Sequence, residues 1–140
     1  MRTLLGLVAL APALAQAAPL AVNVTDVCSD RGQVMLSVYV GPDWLAEHTD
    51  GRDFQQHAEK GTVVFHLDLP PGTYAAATYH DANGNGKFDK SFLGWPLEGF
   101  GFSGGAQVSF LQPPSFAQAR FELPPEGTAV TLPMAYWSGC

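Results

Sequence analysis

The chain has 140 residues, 46% of them apolar, and carries 13 Asp and Glu against 7 Lys and Arg. A formal charge of −6 argues against nucleic acid and anionic lipid as partners, because both need a basic surface to meet phosphate. One domain is the expectation at this length.

Residues 1–17 read as a secretory signal peptide. Arg2 supplies a positive start, Leu4–Leu14 is an uncharged apolar run, and Ala15-Gln16-Ala17 is a small-x-small cleavage site. The run is too short to span a bilayer, which takes about 20 residues. The alternatives are a retained anchor or a buried N-terminal helix. No later segment is long and apolar enough to cross a membrane. Removing the leader takes Arg2 away and leaves six basic residues against 13 acidic ones, a net charge of −7. Residues 18–140 are then expected to form a single domain in the periplasm or the medium. Cys28 and Cys140 are its two cysteines. In an oxidising compartment they can pair, closing a loop of about 112 residues worth up to roughly 4.7 kcal/mol in chain entropy. Two free thiols, or pairing between chains through Cys140, are the other possibilities.

The hydrophobic pattern is mostly of period two, which places side chains on alternate faces of a strand. Strands are expected over 20–27, 33–40, 62–69 and 73–80, with Pro70-Pro71-Gly72 joining the last two as a hairpin. Further strands are expected over 116–123 and 129–136, and a short one at 107–111. Between Gly41 and Gly61 the pattern changes. Pro42–Glu47 looks like a helix start and Asp53–Lys60 like a second helical turn, so this segment reads as a short helical flap. The sum is an all-β fold, an antiparallel β-sandwich of about seven strands in the prealbumin or immunoglobulin manner.

The segment from Asp81 to Pro114 is rich in glycine and aromatics, and too apolar to stay solvated. Its first nine residues carry the one motif with chemistry in it. Asp81, Asn83, Asn85 and Asp89 set side-chain oxygens at positions 1, 3, 5 and 9, with Gly86 at position 6. That is the opening of a calcium-loop pattern, in which alternate residues aim oxygens inward and Lys87 offers its carbonyl. Position 12, where a bidentate glutamate belongs, is Phe92, and a strand precedes the loop, so this is no EF-hand. Glu98 is the nearest acidic residue for a further ligand, with water as the alternative. Two carboxylates within the nine residues imply weak calcium affinity, with a Kd on the order of 10⁻⁴–10⁻³ M. The plain alternative is a metal-free Asn-Gly turn.

Other constellations say less. His66 and His80 would share a transition metal only if their strands paired. Ser103 and Ser115 lack a nucleophile-elbow context. Asp81, Asp89 and Glu98 could include an acid–base pair for glycoside hydrolysis. Phe92, Trp95, Glu98, Phe100 and Phe102 offer a surface for a carbohydrate or a protein or peptide partner, or else roof the core.

Three runs in order, Leu69-Pro70-Pro71-Gly72-Thr73-Tyr74-Ala75, then His80 to Asp89, then Leu93-Gly94-Trp95-Pro96-Leu97-Glu98-Gly99-Phe100-Gly101-Phe102-Ser103, resemble the DUF2141 family of bacterial exported domains. Pro114-Ser115-Phe116 and Ala119-Arg120-Phe121 fit the same pattern. The likeness covers most of residues 18–140 and implies a bacterial source and a transthyretin-like sandwich, with no activity attached. The Gly41–Gly61 flap and the cysteine pair depart from the family's pattern. Transthyretin-like hydrolases of urate breakdown resemble one another in a Tyr-Arg-Gly-Ser ending. This chain ends Tyr136-Trp137-Ser138-Gly139-Cys140, without the arginine. The expectation is therefore a non-catalytic protein.

Overall fold

A computed structural model describes residues 16–45 and 51–140. The expected leader lies outside the described residues apart from its last two positions, which are exposed. The first strand, β1, spans Ala18–Val27 and starts with a buried alanine. It buries Leu20, Val22 and Val24, while the positions between them stay partly or fully exposed. Asp26 then adopts φ 59° and the register slips between Val24 and Val27. This bulge explains why Val27, off the period, still faces the core.

Seven more strands follow among the described residues: β2 (Gln33–Tyr39), β3 (Arg52–His57), β4 (Gly61–Leu69), β5 (Gly72–Asp81), β6 (Phe100–Phe102), β7 (Phe121–Leu123) and β8 (Thr128–Pro133). One sheet has the order β4-β1-β8 and the other β3-β2-β5-β6, with β7 pairing the start of β5. All pairs are antiparallel except β1 with β8, which run parallel. Between the sheets lies one core containing Val22, Val34, Leu36, Phe65, Leu69, Leu123 and Leu132. The all-β sandwich expectation holds.

Several local expectations do not. The runs 62–69 and 73–80 are strands, but not a hairpin. β4 pairs β1 and β5 pairs β2, so Pro70-Pro71-Gly72 carries the chain from one sheet to the other. Asp53–Lys60 is not helical. Most of it belongs to β3, an edge strand with only Phe54 half-buried. A polar edge strand leaves no hydrophobic alternation to read. Phe116–Leu123 is not one strand. A one-turn helix, α1 (Phe116–Ala119), precedes β7, and its start is fixed by a capping box between Ser115 and Gln118. Gln107–Leu111 is no strand either: Ser109 bridges Gln112 across a tight turn. Residues 42–45 of the supposed helix start form a turn, and the rest lies outside the described residues. That turn buries Trp44 against Tyr39, Phe102 and Phe116, centring a second, smaller cluster. The last strand ends at Pro133, not Tyr136, because the chain leaves β1 there and crosses to the other sheet.

Candidate functional site

β5 delivers Asp81 at its end, where the residue is buried. Its Oδ1 accepts the Asn85 N–H at 3.1 Å and its Oδ2 accepts the Gly86 N–H at 2.8 Å. Asn83 Oδ1 accepts the Asn85 N–H at 3.2 Å, and Asn85 Oδ1 accepts the Lys87 N–H at 3.0 Å. Each oxygen-bearing side chain thus curls onto backbone further along the loop, the habit of Asx turns. Gly84 and Gly86 supply the left-handed positions, at φ 68° and 75°. Behind the loop, Gly32 has φ +71°, and a Cβ there would sit 2.0 Å from the Asp81 carbonyl oxygen. The turn between β1 and β2 therefore backs directly onto the loop.

Asp89 closes the loop. Asn83 Nδ2 donates to its Oδ2 at 2.8 Å, and Asn85 Nδ2 reaches both oxygens at 3.0 and 2.8 Å. These donors, Asn85 foremost, hold the Asp89 carboxyl below the usual carboxylate range. Glu98 arrives by a tight reversal. Ser91 N–H donates to Trp95 O at 2.8 Å and Leu97 N–H to Asp89 O at 3.0 Å. Glu98 Oε2 then accepts the Asp89 N–H at 3.1 Å, while Oε1 is buried without a partner. Burial, then the charges of Asp89 and Asp81, push Glu98 up to about 7. The loop thus brings together Asp81, Asn83, Asn85, Lys87, Asp89 and Glu98. Even so, no three carboxylate, histidine or cysteine side chains converge on one metal position among the described residues. Amide N–H groups face Asp89 instead.

The aromatic surface is partly displaced from where it was expected. Phe100 is buried, and Phe102 is half-buried against Trp44. The exposed surface is carried by two turns. Phe92 (96% exposed) and Leu93 tip one, and Phe110 (99%) and Leu111 tip the other. Leaving a phenylalanine in water forgoes roughly 1.5–3 kcal/mol of burial. Trp95, Phe110, Leu111 and Trp137 line a shallow, open hollow between the turns. The Trp95 and Trp137 rings are 5.0 Å apart. Trp137 lies one residue past the expected last strand, 129–136, where no pattern in the sequence marked it.

His80 and Tyr136 form a second unforeseen element. His80 is buried, with Nε2 2.7 Å from Arg31 O and Nδ1 2.8 Å from the Tyr136 hydroxyl. A carbonyl only accepts, so Nε2 carries a hydrogen. In the neutral ring Nδ1 then accepts from Tyr136 O–H. The same hydroxyl oxygen accepts the Cys28 N–H at 3.1 Å. Cys28 and Cys140 are joined as a disulfide, with their Cα atoms 5.7 Å apart. His66 lies exposed on β4 in the opposite sheet, so it shares no site with His80. Ser103 is fully buried and bonded to Ala76 and Ala119 backbone, a bracing role and not a nucleophilic one. No helix among the described residues is long and apolar enough to cross a membrane.

One family model matches residues 22–131: DUF2141, described as an uncharacterized protein conserved in bacteria. No curated protein and no solved structure matches the chain.

Proposed function

We propose, for a chain that belongs to the DUF2141 family, an exported, non-catalytic role in which Asp81–Asp89 is a structural calcium loop. The single observation behind this reading is Glu98. Its Oε1 is buried beside the loop with no hydrogen-bond partner. An orphaned carboxylate oxygen is costly unless a proton or a cation satisfies it, and calcium can take the place of the proton. Glu98 thereby takes the place of the glutamate that Phe92 fails to supply at position 12. Asp81, Asn83, Asn85 and Asp89 offer further oxygens, and Lys87 its carbonyl. Calcium would have to turn the Asn83 and Asn85 amides so that oxygens face Asp89 and not N–H groups. That reorganisation and the small number of carboxylates both argue for weak affinity, which suffices where calcium is millimolar. The disulfide fits the same oxidising setting, in the periplasm or the medium.

Thermal unfolding with chelator, with calcium and with magnesium tests the reading. For a Kd of 10⁻⁴–10⁻³ M, about 10 mM calcium stabilises by roughly 1.4–2.7 kcal/mol. The melting temperature should rise by several degrees with calcium alone, and Glu98→Gln or Asp89→Asn should abolish the rise. No rise makes the loop an ordinary turn.

A second reading is favoured by the open aromatic hollow at Trp95 and Trp137: a carbohydrate- or peptide-binding surface. Quenching of tryptophan fluorescence by oligosaccharides or peptides, lost in Trp95→Ala, would support it. Unchanged fluorescence across both ligand classes would count against it.

A further inference from the structure

The residues after β8 form a strap across the segment that carries Glu98. Ala135 exchanges backbone hydrogen bonds with Phe100 at 2.8 and 3.1 Å. The Tyr136 ring occupies the space over Gly99, where a Cβ would meet it at 2.3 Å. Trp137 packs on Phe100, with centroids 5.2 Å apart, and on Trp95. Ser138 Oγ donates to Pro96 O at 2.7 Å. Residues 95, 96, 99 and 100 flank Glu98 on both sides, and each is held by residues 135–138. The strap ends in the disulfide to Cys28.

We propose that the Cys28–Cys140 disulfide is a reducible latch on this strap, and that opening it weakens calcium binding at the loop by freeing Glu98 from its place beside Asp89. The inference rests on the calcium reading above. Cys140 is exposed, so a small dithiol can reach it. One thiolate of the dithiol attacks Cys140 Sγ, the S–S bond breaks, and Cys28 leaves as a thiolate that takes up a proton. The second thiolate of the reductant then closes its own disulfide and releases Cys140 as a thiol. Two electrons pass from the dithiol to the protein, and two protein thiols result.

Release is confined to the strap by what stays bonded. Met134 N–H keeps its hydrogen bond to Thr25 O at 2.9 Å, and Ala135 keeps its bridge to Phe100. With the latch open, Tyr136 to Cys140 lose their covalent anchor, and the hold on Pro96, Gly99 and Trp95 loosens with them. Coupling between two sites is reciprocal, so calcium must shift the thiol–disulfide equilibrium toward the disulfide by the same factor.

Calcium titration by calorimetry tests this on the oxidised protein, on a Cys28→Ser/Cys140→Ser double variant, and on Trp137→Ala with the disulfide intact. The third protein keeps the test open if the double variant fails to fold. The affinity should fall at least about fivefold on loss of the latch or of Trp137, the lower end of ordinary coupling between sites. Smaller changes, with the oxidised protein still binding calcium, overturn the latch and leave the loop reading standing. An oxidised protein that takes no calcium defeats both.

Discussion

Replacing Ser103 by alanine isolates the cost of one buried hydroxyl. Ser103 follows β6 and is fully buried. Its Oγ accepts the Ala76 N–H at 2.8 Å and donates to the Ala119 carbonyl at 2.5 Å. Both partners belong to residues with no exposed surface, so water cannot replace the lost hydroxyl. Each orphaned backbone group costs about 1–3 kcal/mol, so Ser103→Ala should destabilise by roughly 2–6 kcal/mol. That is a large share of the 5–15 kcal/mol typical of a domain. In urea, with a slope of about 1–3 kcal/mol/M, the midpoint should fall by roughly 0.7 M or more at unchanged slope. Ser115→Ala, which removes an exposed helix cap, serves as the control and should cost only about 1 kcal/mol. If the two variants lose the same small amount, the reasoning from burial fails.

Two further perturbations act on the loop. Glu98 titrates at about 7 in the folded protein, above the ordinary 4.5. The folded state therefore binds its proton more tightly, and this group's contribution to stability is greatest below about pH 4.5. It declines as the pH rises to about 7 and is level beyond. With chelator present, the melting temperature of Glu98→Gln relative to the parent should climb between pH 5 and pH 8. A flat difference would show that the carboxyl is not penalised by burial. Gly32→Ala would force a β-carbon onto the Asp81 carbonyl at a left-handed φ. It should cost several kcal/mol by overpacking and backbone strain, read by chemical denaturation, and a near-neutral result would mean that the turn can move away from the loop.

Much of the fold was legible because β1 and β4 alternate apolar and polar residues, β2 is rich in β-branched and aromatic ones, and a Pro-Pro-Gly turn marks the start of β5. What escaped lacked such signals. β3 offers only Phe54 to the core among otherwise polar, exposed residues, since a sheet edge needs charge more than burial. The capping box at Ser115–Gln118 is a helix start that the alternation of Ala117, Ala119, Phe121 and Leu123 disguised. The partners of β4 and β5 could not be read locally, because a Pro-Pro-Gly turn serves a hairpin and a crossing between sheets equally well. In the loop, the oxygen spacing was plain, and so was the nearness of Glu98. The donation from the Asp89 N–H to Glu98, and the Tyr136–His80 pair behind the disulfide, depend on tertiary folding alone. Phe92 and Trp95 were foreseen at the surface, whereas Phe100 was drawn inward as the first residue of β6.

The parallel pairing of β1 with β8 bears on the order in which the molecule can assemble. Leu20 faces Thr128 and Val24 faces Leu132, contacts more than 100 residues apart in the chain. The β2–β5 ladder spans far shorter separations, Tyr39 to Ala75 at one end and Gln33 to Asp81 at the other. For a polypeptide made from its N-terminus, the earliest strand to emerge gains its second neighbour only when the last strand arrives. Long-range pairings of this kind are slow to form. β1 therefore lacks its second neighbour until the chain is nearly complete, and the three-stranded sheet cannot close before then.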